Sequence, residues 1–158
     1  MEPFEQVVER HGTTVLRVAR AVVGPDLADD VWAETFLAAL RAYPGLPAGS
    51  TVEAWLVTIA HRKGIDALRA RSRAAVPAGA PPDRGNDRDL PGGWERDLWE
   101  AVATLPVRQR QAVAYHYLAG LPHREVAALV GGSEQASRKA ASEGVAKLRR
   151  LYREESRA

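Results

Sequence analysis

The chain has 158 residues and no cysteine, with 46% hydrophobic and 27% charged residues and a net charge of +2. That is a globular composition with room for one or two small domains, and it excludes a disulfide framework, a thiolate metal site and a thiol nucleophile. A reducing, cytoplasmic setting is the default expectation without cysteine; no apolar run approaches the roughly 18 residues that span a bilayer, and the acidic start MEPFEQVVER is unlike a signal peptide.

Alanine is abundant, isoleucine occurs only at Ile59 and Ile65, and nothing alternates with strand periodicity, so the fold expected is all-α, in two small helical domains. Residues 1–73 form the first. Phe4, Val7, Val8, Val15, Leu16, Ala19, Val22 and Val23 keep helical spacing until Gly24-Pro25-Asp26 interrupts it. Asp26 can cap a second helix carrying Leu27, Val31, Phe36, Leu37 and Leu40, which Pro44-Gly45 ends near Tyr43. After the long loop to Gly49, Ser50 or Thr51 can cap a third helix. Its apolar side holds Trp55, Leu56, Ile59, Ala60, Ile65 and Leu68, and it displays His61, Arg62, Lys63, Arg69, Arg71 and Arg73 elsewhere.

Residues 74–93 carry four Pro, four Gly and five charged residues with almost nothing to bury, the composition of a tether. Twenty such residues span roughly 25 Å on average and about 70 Å at full extension. In the second domain, residues 94–158, Trp94, Leu98, Trp99, Val102 and Leu105 line a helix stopped by Pro106, and Arg108 to Leu118 form another that stops at Gly120. Glu125-Val126-Ala127, Gly131 four residues on, and a helix opened by Ser133 have the spacing of a helix-turn-helix. The small Ala127 lets two helices touch, and glycine suits the turn between them. The second of these helices is the one expected in a DNA major groove, presenting Glu134, Gln135, Arg138 and Lys139.

Charge is distributed to match. Residues 1–73 are neutral, residues 74–93 carry −1 and residues 94–158 carry +3, and each domain has a basic helical segment, Arg62 to Arg73 and Arg138 to Arg150. Arg62, Lys63, Arg69 and Arg71 suit phosphate contact, Trp55 falls in phase with the core, and Asp66 reads as a local salt-bridge residue. Asp30 and Glu34 lie four apart on one helix face with no basic partner at helical spacing, which points to an external cationic surface. His11, His61, His116 and His123 have no metalloprotease spacing, and no phosphate loop or nucleophile elbow occurs. His116 and His123 with Glu125 could gather a metal only across a turn, so neither an enzyme nor a cofactor is expected.

Three runs resemble the extracytoplasmic-function class of bacterial sigma-70 factors. ADDVWAETFL at 28–37 is similar to the family's acidic helix, WLVTIAHRKGIDALR at 55–69 to its promoter-opening signature, and LPVRQR at 105–110 with YLAGLPHREVA at 117–127 to the start of its −35-binding domain. The resemblance implies a region 2-like domain, a linker and a region 4-like domain in an alternative sigma factor that binds core RNA polymerase and promoter DNA, and in many relatives an anti-sigma protein. It assigns Asp30, Glu34 and Leu37 to polymerase docking, and His61, Arg62, Lys63, Arg69 and Arg71 to the −10 element. Arg124, Ser133, Glu134, Gln135, Arg138 and Lys139 fall to the −35 element.

Some positions depart from the pattern. Ala33 stands where relatives carry Gln, Pro122 replaces a capping Ser, and in the recognition helix Ser137 and Ala141 replace inward aliphatic residues, Ala140 and Glu143 replace basic ones, and Gly144 costs about 1 kcal/mol of helix propensity. These departures motivate an alternative, a sigma-like DNA-binding regulator not competent for autonomous initiation.

Overall fold

The computed structural model describes residues 1–74 and 93–157, and all their regular structure is helical. Residues 75–92 of the expected tether lie outside them. In order, α1 is Phe4–Val23, α2 is Pro25–Ala42 followed by a short 3₁₀ turn at Tyr43–Gly45, and α3 is Val52–Ala74. In the second module, α4 is Gly93–Ala103, α5 is Val107–Val113 continued by a π turn at Ala114–Leu118, α6 is His123–Val130 and α7 is Glu134–Arg157.

The first three helices pack on one another around Val7, Val15, Phe36, Ala39, Tyr43, Leu56 and Ala60. Trp32 Nε1 donates to the Gly12 carbonyl at 2.9 Å and its ring leans on Phe36, so α2 is keyed to α1 by a polar and an apolar contact together. The Tyr43 hydroxyl bonds the Glu2 carbonyl, tying the chain start to the end of α2. Three sequence expectations change. Asp26 sits in the first turn of α2 rather than capping it, because the helix already begins at Pro25. Of the two capping candidates for α3, the Ser50 hydroxyl donates to Pro47 within the preceding turn, which leaves Thr51, immediately before Val52, in the capping position. The α3 core is Leu56, Val57, Ala60 and Gly64, with Trp55, Ile59, Ile65 and Leu68 only half-buried.

The two modules also share a core. Val18, Val22, Val23, Val31 and Val57 of the first form one apolar cluster with Trp99, Val102, Ala114, Tyr115, Leu121 and Val126 of the second, and α1 packs on α4, α5 and the π turn. Modules of this size bury too small a fraction of their surface to be comfortable alone, and here each completes the other.

Within the second module, Gly131 at φ 92° and Gly132 at φ 89° make the turn that side-chain-bearing residues would strain to adopt. Ser133 Oγ then accepts from the Ala136 amide at 3.0 Å and caps α7. Arg108 donates to the Val130 and Gly131 carbonyls at 3.2 and 3.0 Å, satisfying the end of α6. Gly144 lies where α7 crosses α5: a Cβ there would meet Val113 Cγ2 at 2.7 Å. This glycine is a contact point, and its propensity cost accompanies a close helix crossing.

Candidate functional site

Three surfaces carry the sequence-derived candidates. On α2, Asp30, Glu34 and Leu37 recur at helical spacing and are exposed, with Leu37 at 50% and the neighbouring Leu40 at 51%. Neither carboxylate has an ion-pair partner among the described residues. Two acids and two exposed leucines, with Ala33 between the acids, make a face that is charged and apolar at once.

On α3 the candidates divide. Arg62, Asp66, Arg69 and Arg73 follow one another at helical spacing and are exposed, so they share a stripe. Asp66 has no salt-bridge partner among the described residues, contrary to the structural role expected for it. Arg71 lies 3.9 Å from Asp26 at the start of α2, an exposed and weak pairing. Lys63 is half-buried.

His61 is not displayed as expected. Its Nδ1 lies 2.6 Å from the hydroxyl of Tyr115, a fully buried residue of the second module, and the two rings meet edge to face. Burial raises the Tyr115 pKa, and burial followed by the nearby Arg62 lowers that of His61. Both groups are therefore neutral, and they share one hydrogen bond whose direction follows the imidazole tautomer. A cleft of about 480 Å³ opens beside this contact, lined among others by Trp55, His61 and Arg62 from α3 and by Leu121, Glu125 and Leu129 from the second module. Trp55 is thus part core and part cleft wall, packed near Tyr43 on one side.

On α7, Glu134, Gln135, Arg138 and Lys139 are all exposed, and Arg124 is exposed on α6. Arg138 pairs with Glu134 at 2.8 Å, and this bond is the main cause of the lowered Glu134 pKa. Lys139 faces Glu143 at 3.9 Å, and Gln109 of α5 donates to the same carboxylate at 3.2 Å. Ser133 is committed to the helix cap. The atypical inner positions are packed: Ala141 is buried, and Ser137, 6% exposed, lies 3.1 Å from His123 Nδ1. His123 in turn stacks on His116. No group of three or more His, Asp or Glu side chains able to hold a metal is gathered among the described residues.

Sequence reasoning missed Tyr115 as the partner of His61, Leu40 beside Leu37, and the His116–His123–Ser137 column. Tyr115 reads in sequence as one more apolar position, and only the π turn and the docking of the modules show where its hydroxyl goes.

Comparison with known proteins places both modules. The Sigma-70 region 2 family matches residues 7–74 and the Sigma-70 region 4 family residues 95–148. The chain is 33% identical over 163 residues to the RNA polymerase sigma factor CarQ of Myxococcus xanthus, covering 97% of this chain and 91% of that protein. It is 31% identical over 169 residues to the ECF RNA polymerase sigma factor BldN of Streptomyces coelicolor, covering 99% of this chain and 62% of the relative. Among solved structures it is similar in fold to the sigma factor RpoE of Bartonella quintana, crystallised with the anti-sigma factor NepR, with a TM-score of 0.76 at 21% identity over 97% of this chain and 98% of that one. CnrH, in complex with the cytosolic domain of CnrY, matches with a TM-score of 0.65 at 24% identity over 94% and 86%.

Proposed function

The chain belongs to the sigma-70 family of RNA polymerase sigma factors, in its ECF class, as an alternative sigma factor of transcription initiation, and on that premise we propose which surface does what. The α2 face of Asp30, Glu34 and Leu37 docks on core polymerase. The α3 stripe of Arg62 and Arg69, with His61, Lys63 and Arg71 around it, engages the −10 element. Arg124, Glu134, Gln135, Arg138 and Lys139 approach the −35 element, with Ser133 shaping the helix that carries them.

The observation that carries this reading is the unequal availability of the surfaces. The α2 face is open, whereas His61 is bonded to Tyr115 beneath the second module. Of the DNA-facing candidates His61 is the one withheld in this arrangement, while the α3 arginines and the α7 face are exposed. Engaging both promoter elements requires the modules to part along Tyr115, Val57 and Val126, exchanging the shared core for contacts with polymerase. Once α3 is free, its arginines hold phosphates of the strand being opened, and polar and aromatic groups beside the cleft receive unpaired bases. The chemistry of RNA synthesis is the polymerase's, and the factor contributes binding alone. A cytoplasmic location follows from that role, and no described helix is long and apolar enough to cross a membrane.

The cleft between the modules suits an anti-sigma segment, which would hold them closed. The alternative of a stand-alone regulator drew on Ala33 in α2 and on the departures in α7, of which Ser137, Ala141 and Gly144 are buried while Ala33 and Glu143 are exposed. Co-elution with sigma-free core polymerase on size exclusion tests the assignment: stoichiometric binding is expected for the native chain and is lost in the Asp30→Ala/Glu34→Ala variant. Absence of binding by the native chain at micromolar concentration refutes it.

A further inference from the structure

His116 and His123 face each other with ring centroids 3.8 Å apart and planes within 16°. His116 Nδ1 is 2.7 Å from the Leu121 carbonyl, which only accepts, so that nitrogen carries hydrogen. His123 is the first residue of α6, and its Nδ1 reaches the buried Ser137 hydroxyl of α7 at 3.1 Å. A column of two rings and one hydroxyl thus joins the π turn, α6 and α7. An aliphatic residue at 137 would hold α7 by packing alone; a buried hydroxyl needs its hydrogen bond and is directional about it.

We propose that His123 is a positioning residue for the recognition helix: its ring, seated on His116 and bonded to Ser137, fixes α7 against α6, and this hold weakens when His123 takes up a proton. The proposal rests on the reading of α7 as the DNA-contacting helix.

Surrounding charges oppose the proton. The ring stands at the positive end of α6, next to Arg124 and within the field of Arg138. Glu134 is the acid that faces it, and that carboxylate is already paired with Arg138. Of the other charged groups nearby, Arg62 and Glu125 line the inter-module cleft, and Arg108 is engaged at the far end of α6. Burial, then His116, then Arg138 lower the His123 pKa. A proton on His123 would set a cation at the N-terminus of α6, close to Arg138 and with its nearest acid already paired.

The test is amide hydrogen exchange of the full chain at pH 7.5 and 5.5, as protection factors for residues 136–144, with His123→Asn and His123→Ala alongside. Asparagine places an amide where Nδ1 stood and does not titrate. Acid is expected to reduce protection of the native α7 about fivefold, to leave His123→Asn flat, and to find His123→Ala poorly protected at both pH values. Release of His61 reports separately, at α3 amides. Identical pH profiles for the native chain and His123→Asn, or native-like protection of His123→Ala at pH 7.5, overturn the proposal. Co-elution of the same preparations with core polymerase reports independently on the sigma-factor reading.

Discussion

Gly144→Ala separates what the helix wants from what the packing allows. In an exposed helix interior the substitution stabilises by about 1 kcal/mol, because glycine has more backbone freedom to lose. Here the new methyl would stand 2.7 Å from Val113 Cγ2, 3.4 Å from the Gln109 carbonyl oxygen and 3.5 Å from Gln109 Cβ. Carbon atoms rest about 3.5 to 4.0 Å apart, so α5 and α7 must separate by most of an ångström or the buried Val113 must leave its rotamer. Overpacking of that kind costs about 1 to 3 kcal/mol, and the balance is a net loss near 1 kcal/mol. For a chain of this length the melting temperature falls by about 2 to 4 °C. Thermal unfolding of four proteins, native, Gly144→Ala, Val113→Ala and the double variant, checks both sign and cause. The alanine at 144 should destabilise the native background and partly rescue the Val113→Ala background, where the space exists. A higher melting temperature for Gly144→Ala alone, or an equal effect in both backgrounds, would refute the reasoning.

Ser133→Ala removes the α7 cap and should cost about 1 kcal/mol, seen as faster amide exchange in the first turn of that helix. Tyr115→Phe deletes the hydroxyl bonded to His61 and should weaken the closed arrangement by about 1 kcal/mol, read as increased protease sensitivity between the modules without loss of helix content. His61 and His123 both have pKa values below the usual 6.5 in the folded chain, so the unfolded chain takes up protons first as pH falls. Their contribution to stability is complete above about pH 6.5 and declines below it, which denaturant midpoints at pH 7.5 and 5.5 would show against a His61→Asn/His123→Asn variant. Arg62→Ala/Lys63→Ala should impair promoter opening while leaving co-elution with polymerase intact, and Arg138→Ala should weaken promoter binding; unchanged transcription in both would remove the residue assignments.

The elements were legible because their signals are local. Gly24-Pro25, Pro44-Gly45 and Gly131-Gly132 interrupt helical periodicity where the chain turns, and Ser133 caps the helix expected to follow. The acidic face of α2 was legible too, since a carboxylate pair without a cation at helical spacing is a property of the sequence itself. What escaped depends on partners distant in the chain. Val57 was omitted from the expected core and is fully buried, because it belongs to the apolar cluster that the two modules share. The substitutions in α7 looked like erosion when compared one position at a time. In three dimensions Ser137 answers His123, and Gly144 admits Val113, each compensated by a residue 14 or 31 positions away.

The same distinction bears on how the factor works. A module joined to another only by a flexible tether would present all its surfaces at once, His61 and the wall of the cleft included. With one apolar cluster across both modules, the surfaces are ranked: α2 stays open, while His61 and the wall of the cleft become free only when Tyr115 withdraws. Separation exposes Val57, Tyr115 and Val126, so it is favourable only where polymerase covers comparable apolar area in return. DNA, which offers mainly charge, cannot supply that exchange by itself. Under this proposal the release of His61 and of the cleft wall becomes conditional on docking, while the exposed arginines of α3 and the face of α7 stay available to DNA throughout.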